Sequence, residues 1–91
     1  DWSSDVYQSL LERIGIPEAH VACMGDDLPD LPLFNHCGLK IAPADAASEV
    51  RERADIVTAS YGGNGAVREA AEIIIKAQGC WQKLLEGYIA Q

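Results

Sequence analysis

Three short apolar runs constrain this chain more than any other feature: His20–Met24, Leu39–Ala42 and Asp55–Ala59. The first is mostly apolar with no in-and-out alternation, which suits a parallel strand buried on both faces. The second is closed by Pro43, and the third is rich in β-branched residues. The runs end near residues 24, 42 and 59, far enough apart for a helical crossover between parallel neighbours. The intervening segments carry helical spacing. Residues 3–14 place Val6, Leu10, Leu11 and Ile14 on one side, with Ser3 or Ser4 as the N-cap and Gly15 as the stop. Short helices are predicted over 30–37, with Leu31, Leu33 and Phe34 as apolar content, and over 46–54, where Glu49 and Arg53 form an i, i+4 pair. A longer helix over 66–78 groups Val67, Ala70, Ala71, Ile74 and Ala77 and stops at Gly79. A last one over 80–90 carries Trp81, Leu84, Leu85, Tyr88 and Ile89, residues suited to a core or a subunit contact. The pattern predicts an α/β unit, helix first, with three parallel strands and right-handed connections. A sheet this small looks incomplete, which suggests that catalytic parts lie elsewhere.

Composition narrows the function classes. Ninety-one residues allow one small domain, which buries only roughly 60–65% of its unfolded surface. Seven basic against fourteen acidic residues give a net charge of −7. That excludes a nonspecific nucleic-acid binder, which needs a basic face, and it disfavours docking on anionic membranes. No apolar stretch is long enough to span a bilayer. Asp1-Trp2-Ser3-Ser4 carries no signal-peptide pattern, and the absent initiator Met suggests a piece of something longer. Cys23, Cys37 and Cys80 are odd in number with no CxxC pair, which fits buried thiols in a reducing compartment.

The sharpest chemical feature is Met24-Gly25-Asp26-Asp27-Leu28-Pro29-Asp30-Leu31-Pro32. Three carboxylates within five residues follow the first apolar run, and ligands of open α/β sheets bind beyond the carboxyl ends of strands. Such anions raise one another's pKa unless a cation offsets them. Mg²⁺ suits the set, because it takes one or two carboxylates while keeping waters and a phosphate. The competing reading makes Asp26 and Asp27 turn residues and Asp30 the cap of the next helix. An EF-hand is excluded by acidic residues at loop positions one, two and five and no Glu at the twelfth. The Cys and His residues lack paired zinc-ligand spacing. Gly62-Gly63-Asn64-Gly65 opens the long helix and presents backbone N–H groups to an anion or simply turns the chain. It is neither a Walker A loop nor a dinucleotide fingerprint.

Gly25-Asp26-Asp27-x-x-Asp30 after an apolar strand resembles the fourth motif of haloacid dehalogenase superfamily phosphatases. Cys37-Gly38-Leu39, Ala44-Asp45-Ala46, Arg53–Thr58, Gly62–Glu69 and Ala77-Gln78-Gly79 follow in order. Together these strings resemble the C-terminal half of the 3-deoxy-D-manno-octulosonate 8-phosphate phosphatase family, over residues 7 to 82 or so. The resemblance implies a three-layer, Rossmann-like, capless parallel sheet, with residues 1–91 forming one partial domain and the fourth motif at 25–30. It implies a cytoplasmic, homotetrameric, Mg²⁺-dependent phosphatase acting on a small phosphorylated sugar acid in lipopolysaccharide synthesis. Asp26 matches the direct metal ligand, while Asp27 and Asp30 match acidic neighbours that orient waters or nearby groups. Gly63, Gly65 and Arg68 become candidates for substrate or subunit contact, against an ion pair of Arg68 with Glu72. The family's Asp-x-Asp nucleophile motif and its second-motif Thr or Ser are absent, and Ser3-Ser4-Asp5-Val6 lacks the expected third-motif Lys. The alternatives are a non-catalytic module of the kind resembling the C-terminal domains of nucleotide-sugar synthetases, or an assembly or complementation fragment.

Overall fold

The structure, a computed structural model, describes the backbone of residues 2–91 and the side chains from residue 6 onward. Helix α1 spans Trp2–Ile14, so Ser3 and Ser4 lie within it rather than capping it; their side chains fall outside the described set. Gly15, at φ 72°, donates its N–H to the Leu11 carbonyl (2.9 Å) and ends the helix as its sequence position predicts. Strand β1 is Ala22–Met24, two residues shorter than the apolar run. Pro17 instead opens a 3₁₀ turn over Glu18–His20 that takes up His20. After a second 3₁₀ turn at Leu28–Asp30, helix α2 is one turn long, Leu31–Phe34. Strand β2 is Leu39–Ala42, α3 is Ser48–Arg53 and β3 is only Ile56–Val57. Helices α4, Ala66–Ala77, and α5, Trp81–Ile89, complete the chain.

The sheet is parallel in order β1-β2-β3. Cys23 pairs with Lys40, and Ile41 with Ile56. Bonds beyond the short strands extend the ladders: Gly25 N–H donates to the Ile41 carbonyl (3.1 Å), and Thr58 N–H to the Ala42 carbonyl (2.9 Å). The Asp55 carboxylate accepts the Lys40 N–H at 2.9 Å, so this residue pins the entrance of β3 rather than extending it. Because the strands are parallel, their carboxyl ends fall on one edge, where the loops after β1, β2 and β3 gather.

The core is small. Cys23, Phe34, Ala42, Ala46 and Val50 form it, with Tyr7, Leu31 and Cys37 packed against it. Among the described side chains of α1 only Leu11 is buried, whereas Val6, Leu10 and Ile14, expected inside, are all about half exposed. On α4 the buried stripe is Ala66 and Ala70; Val67, expected on that side, is 72% exposed, and Ala71 and Ala77 are exposed too. The reason is common to both: one face of each helix is covered by the rest of the fold, and nothing described covers the other. Leu84, Tyr88 and Ile89 of α5 are likewise exposed. Cys23 is buried and Cys37 half-buried, but Cys80 is exposed at the start of α5, contrary to the expected burial. The Glu49–Arg53 pair also differs from expectation. Arg53 Nη1 donates to the Glu49 carbonyl (2.8 Å), while the Glu49 carboxylate accepts from the Ser48 hydroxyl (3.0 Å).

These burials predict Val50→Ala, at a fully buried site, to lower stability by roughly 1–3 kcal/mol through lost packing and a residual cavity. Val67→Ala is expected to stay within about 0.5 kcal/mol. Urea unfolding of the two variants against the parent checks both.

Candidate functional site

The acidic loop begins where β1 ends. Gly25 is buried and still bonded to the sheet, and the Asp30 side chain lies directly against it. A Cβ at position 25 would stand 2.7 Å from the Asp30 Cβ, so only glycine allows this approach. Asp30 uses the space to fold back over the loop. Its Oδ2 accepts the N–H groups of Asp26 (2.9 Å) and Asp27 (3.3 Å). Asp27 in turn caps the 3₁₀ turn, its Oδ1 accepting the Leu28 N–H at 2.8 Å. Pro29 and Pro32 suit the same path, since neither has an N–H to satisfy. The expected cap of α2 by Asp30 does not form; that carboxylate is committed backwards into the loop.

Electrostatics separate the two ends of this bridge. Burial acts to raise the Asp30 pKa, but the backbone N–H groups of Asp26 and Asp27 outweigh it and hold the carboxyl below its ordinary value. Asp26 moves the other way, pushed up first by the hydrogen bond it shares with the Asp30 carboxyl, then by desolvation and by the charges of Asp30 and Asp27. Asp26 is exposed. Asp26 therefore presents an exposed carboxylate whose charge is opposed by its neighbours, with Asp27 exposed beside it, and a cation would relieve that opposition. Among the described residues no three Asp, Glu, His or Cys side chains converge as a closed metal cage. The donor set fits an oxygen-seeking ion that keeps several waters and needs one or two carboxylates from this chain, and it does not fit structural zinc.

The glycine loop lies at the same edge of the sheet. Gly63 (φ 74°) and Gly65 (φ 98°) are both left-handed, which explains their identity. Gly62 N–H donates to Asp45 Oδ1 at 2.8 Å. Arg68 takes the ion-pair reading, its Nε lying 3.1 Å from Glu72 Oε1 with the guanidinium side chain 81% exposed. The structure thus gathers the loops carrying Asp26, Asp27, Asp30, Gly63 and Gly65 at one edge, while Arg68 pairs along its own helix. Sequence reasoning missed Asp45 and Glu69 as acceptors of loop N–H groups. A Glu in the first turn after a glycine loop was the available signal, but spacing cannot say which amides it reaches.

The opposed shifts fix the sign of the pH response. Asp30 contributes stability above the ordinary carboxylate range and loses it as pH falls through its lowered pKa. Asp26 contributes below that range and loses its share as pH rises through its raised pKa. Without metal at neutral pH, Asp26→Asn should therefore raise the melting temperature slightly. Asp30→Asn should cost roughly 1–2 kcal/mol by weakening its two N–H contacts. Thermal melts across the acid range check both signs.

Comparison with known proteins places this geometry. Residues 4–70 match the haloacid dehalogenase-like hydrolase family. The chain is 45% identical over 73 residues to the 3-deoxy-D-manno-octulosonate 8-phosphate phosphatase KdsC of Escherichia coli K12, covering 80% of this chain and 39% of that one. It therefore spans about two-fifths of the length of the curated relatives it matches. Among solved structures, a haloacid dehalogenase superfamily hydrolase from Legionella pneumophila, described as putative in its name, superposes with TM-score 0.87 at 41% identity, over 96% of this chain and 48% of that one. The 3-deoxy-D-manno-octulosonate 8-phosphate phosphatase of Moraxella catarrhalis, solved with magnesium, phosphate and KDO, gives TM-score 0.84 at 36% identity, over 92% and 48%. With a parallel α/β sheet, an acidic loop at its carboxyl edge and a family match over most of its length, the chain belongs to the haloacid dehalogenase-like hydrolases.

Proposed function

We propose that this chain is the metal-binding part of an Mg²⁺-dependent phosphatase whose substrate is a phosphorylated sugar acid of the 3-deoxy-D-manno-octulosonate 8-phosphate type. The observation that carries the reading is the acidic loop itself, with Asp26 exposed and Asp27 and Asp30 accepting N–H groups of the loop, in a chain 45% identical to a phosphatase of that name. Residues 1–91 are read as one partial domain with its fourth motif at 25–30.

Asp26 is the residue that would hold the ion. Asp30 fixes the Asp26 backbone through the Asp26 N–H, and Asp27 fixes the turn that follows. When bound, Mg²⁺ supplies charge neutralisation for phosphoryl oxygens and a template for in-line displacement. Gly63, Gly65 and Arg68 are proposed to face the sugar acid or a neighbouring subunit, with Arg68 exchanging Glu72 for the ligand. The exposed apolar residues of α5 suit a homo-oligomer, a tetramer by resemblance, and the three free thiols suit the cytoplasm. No Asp-x-Asp follows an apolar strand in this sequence. The attacking carboxylate of the reaction must therefore come from outside these residues. That same observation favours the second reading, a non-catalytic module.

Two measurements separate the readings. Saturating Mg²⁺ should raise the melting temperature of the parent more than that of Asp26→Asn, by mass action on the folded state; equal stabilisation would make Asp26 a turn residue only. The purified 91-residue chain should hydrolyse para-nitrophenyl phosphate no faster than background, because it lacks a placed nucleophile. Sustained turnover would require a nucleophile within these residues.

A further inference from the structure

The loops after all three strands are laced together by hydrogen bonds, and two acidic side chains of the lacing have no task in the phosphatase reading. Ala47 N–H donates to the Asp26 carbonyl (2.9 Å), joining the acidic loop to the loop after β2. From that second loop Ala44 N–H donates to the Ser60 carbonyl (3.1 Å), and Asp45 Oδ1 accepts the Gly62 N–H (2.8 Å). Glu69, in the first turn of α4, reaches back to the end of β3. Its two oxygens accept consecutive N–H groups, Ala59 at 2.8 Å and Ser60 at 2.9 Å. Buried Thr58 closes the knot by donating its hydroxyl to the Ser60 carbonyl (2.8 Å).

The stretch between Ser60 and Ala66 needs such anchors. It holds three glycines, and Tyr61 and Asn64 are exposed, so side-chain packing does little to fix it. Glycine-rich backbone loses the most conformational freedom on ordering. Charge-assisted bonds from a carboxylate are about twice as strong as neutral ones, so they can offset that loss. Two successive N–H groups facing the same way also form an anion-binding concavity, and Glu69 fills it from within.

We propose that Glu69 and Asp45 are positioning residues: internal anion acceptors that hold the Gly62–Gly65 loop at the carboxyl edge beside the Asp26 loop, and not metal ligands. What the loop faces rests on the phosphatase reading; the tethers stand without metal or substrate.

Amide hydrogen exchange on the ¹⁵N-labelled, metal-free chain tests this. Glu69→Ala should speed exchange at both Ala59 and Ser60 by about tenfold or more while leaving the core Val50 amide unchanged. Glu69→Gln has the same shape but only one carbonyl oxygen, and its NH₂ opposes the second N–H. It should unprotect one of the two amides, whereas a side chain that merely fills space would leave both as in the parent. Asp45→Asn should keep Gly62 protected and Asp45→Ala should not. The Ala59 and Ser60 amide shifts should also titrate with a carboxyl below the ordinary Glu value of 4.5, and this titration should vanish in Glu69→Gln. Parent-like exchange at both amides in Glu69→Gln would overturn the proposal, as would a Glu69 carboxyl resonance that moves on adding Mg²⁺. Failure of Mg²⁺ to act through Asp26 would overturn the phosphatase reading and leave these tethers intact.

Discussion

The contact of Asp30 with Gly25 is what the site depends on. A carboxylate that returns over four residues to accept two backbone N–H groups forces the chain after β1 into one tight path. The path exists only because position 25 has no Cβ. Once Asp30 is committed in this way, its charge stands beside Asp26, and the two carboxyls are driven apart in acidity. The loop is stabilised locally by Asp30 while the Asp26 side chain is left frustrated. Opposed shifts of this kind cluster at functional sites.

The sheet makes this local arrangement useful. Parallel strands bring every carboxyl-terminal loop to one edge, and β2, central in the order β1-β2-β3, links the other two. The Asp26 carbonyl is bound by Ala47 of the loop after β2. The acidic loop therefore leans on the neighbouring loop rather than on solvent. A cluster of Cys23, Phe34, Ala42, Ala46 and Val50 packs beside the strands, while apolar positions on α1, α4 and α5 stay exposed.

Much of this was legible in the amino-acid sequence. Apolar runs and their spacing identified three parallel strands, glycines identified helix ends, and the Gly-Asp-Asp-x-x-Asp spacing located the acidic loop. Those signals work because each depends on near neighbours: periodicity, turn chemistry and charge within a few residues. The strand lengths were less legible. β1 and β3 are shorter than their apolar runs because Pro17 and Asp55 redirect the backbone into a 3₁₀ turn and a side-chain bond.

Two kinds of information came only from the tertiary structure. Which face of an amphipathic helix is buried depends on what lies opposite, so Leu11 is inside while Val6, Leu10 and Ile14 are not. Which carboxylates are committed to backbone N–H groups depends on residues as far as seventeen apart, as in the Asp45–Gly62 bond. The sequence by itself determined the elements, their order and the presence of an acidic loop, because local propensities and spacing act along the chain. The tertiary structure decided the division of labour among the acids, because a carboxylate takes its role from the N–H groups and charges the fold brings to it.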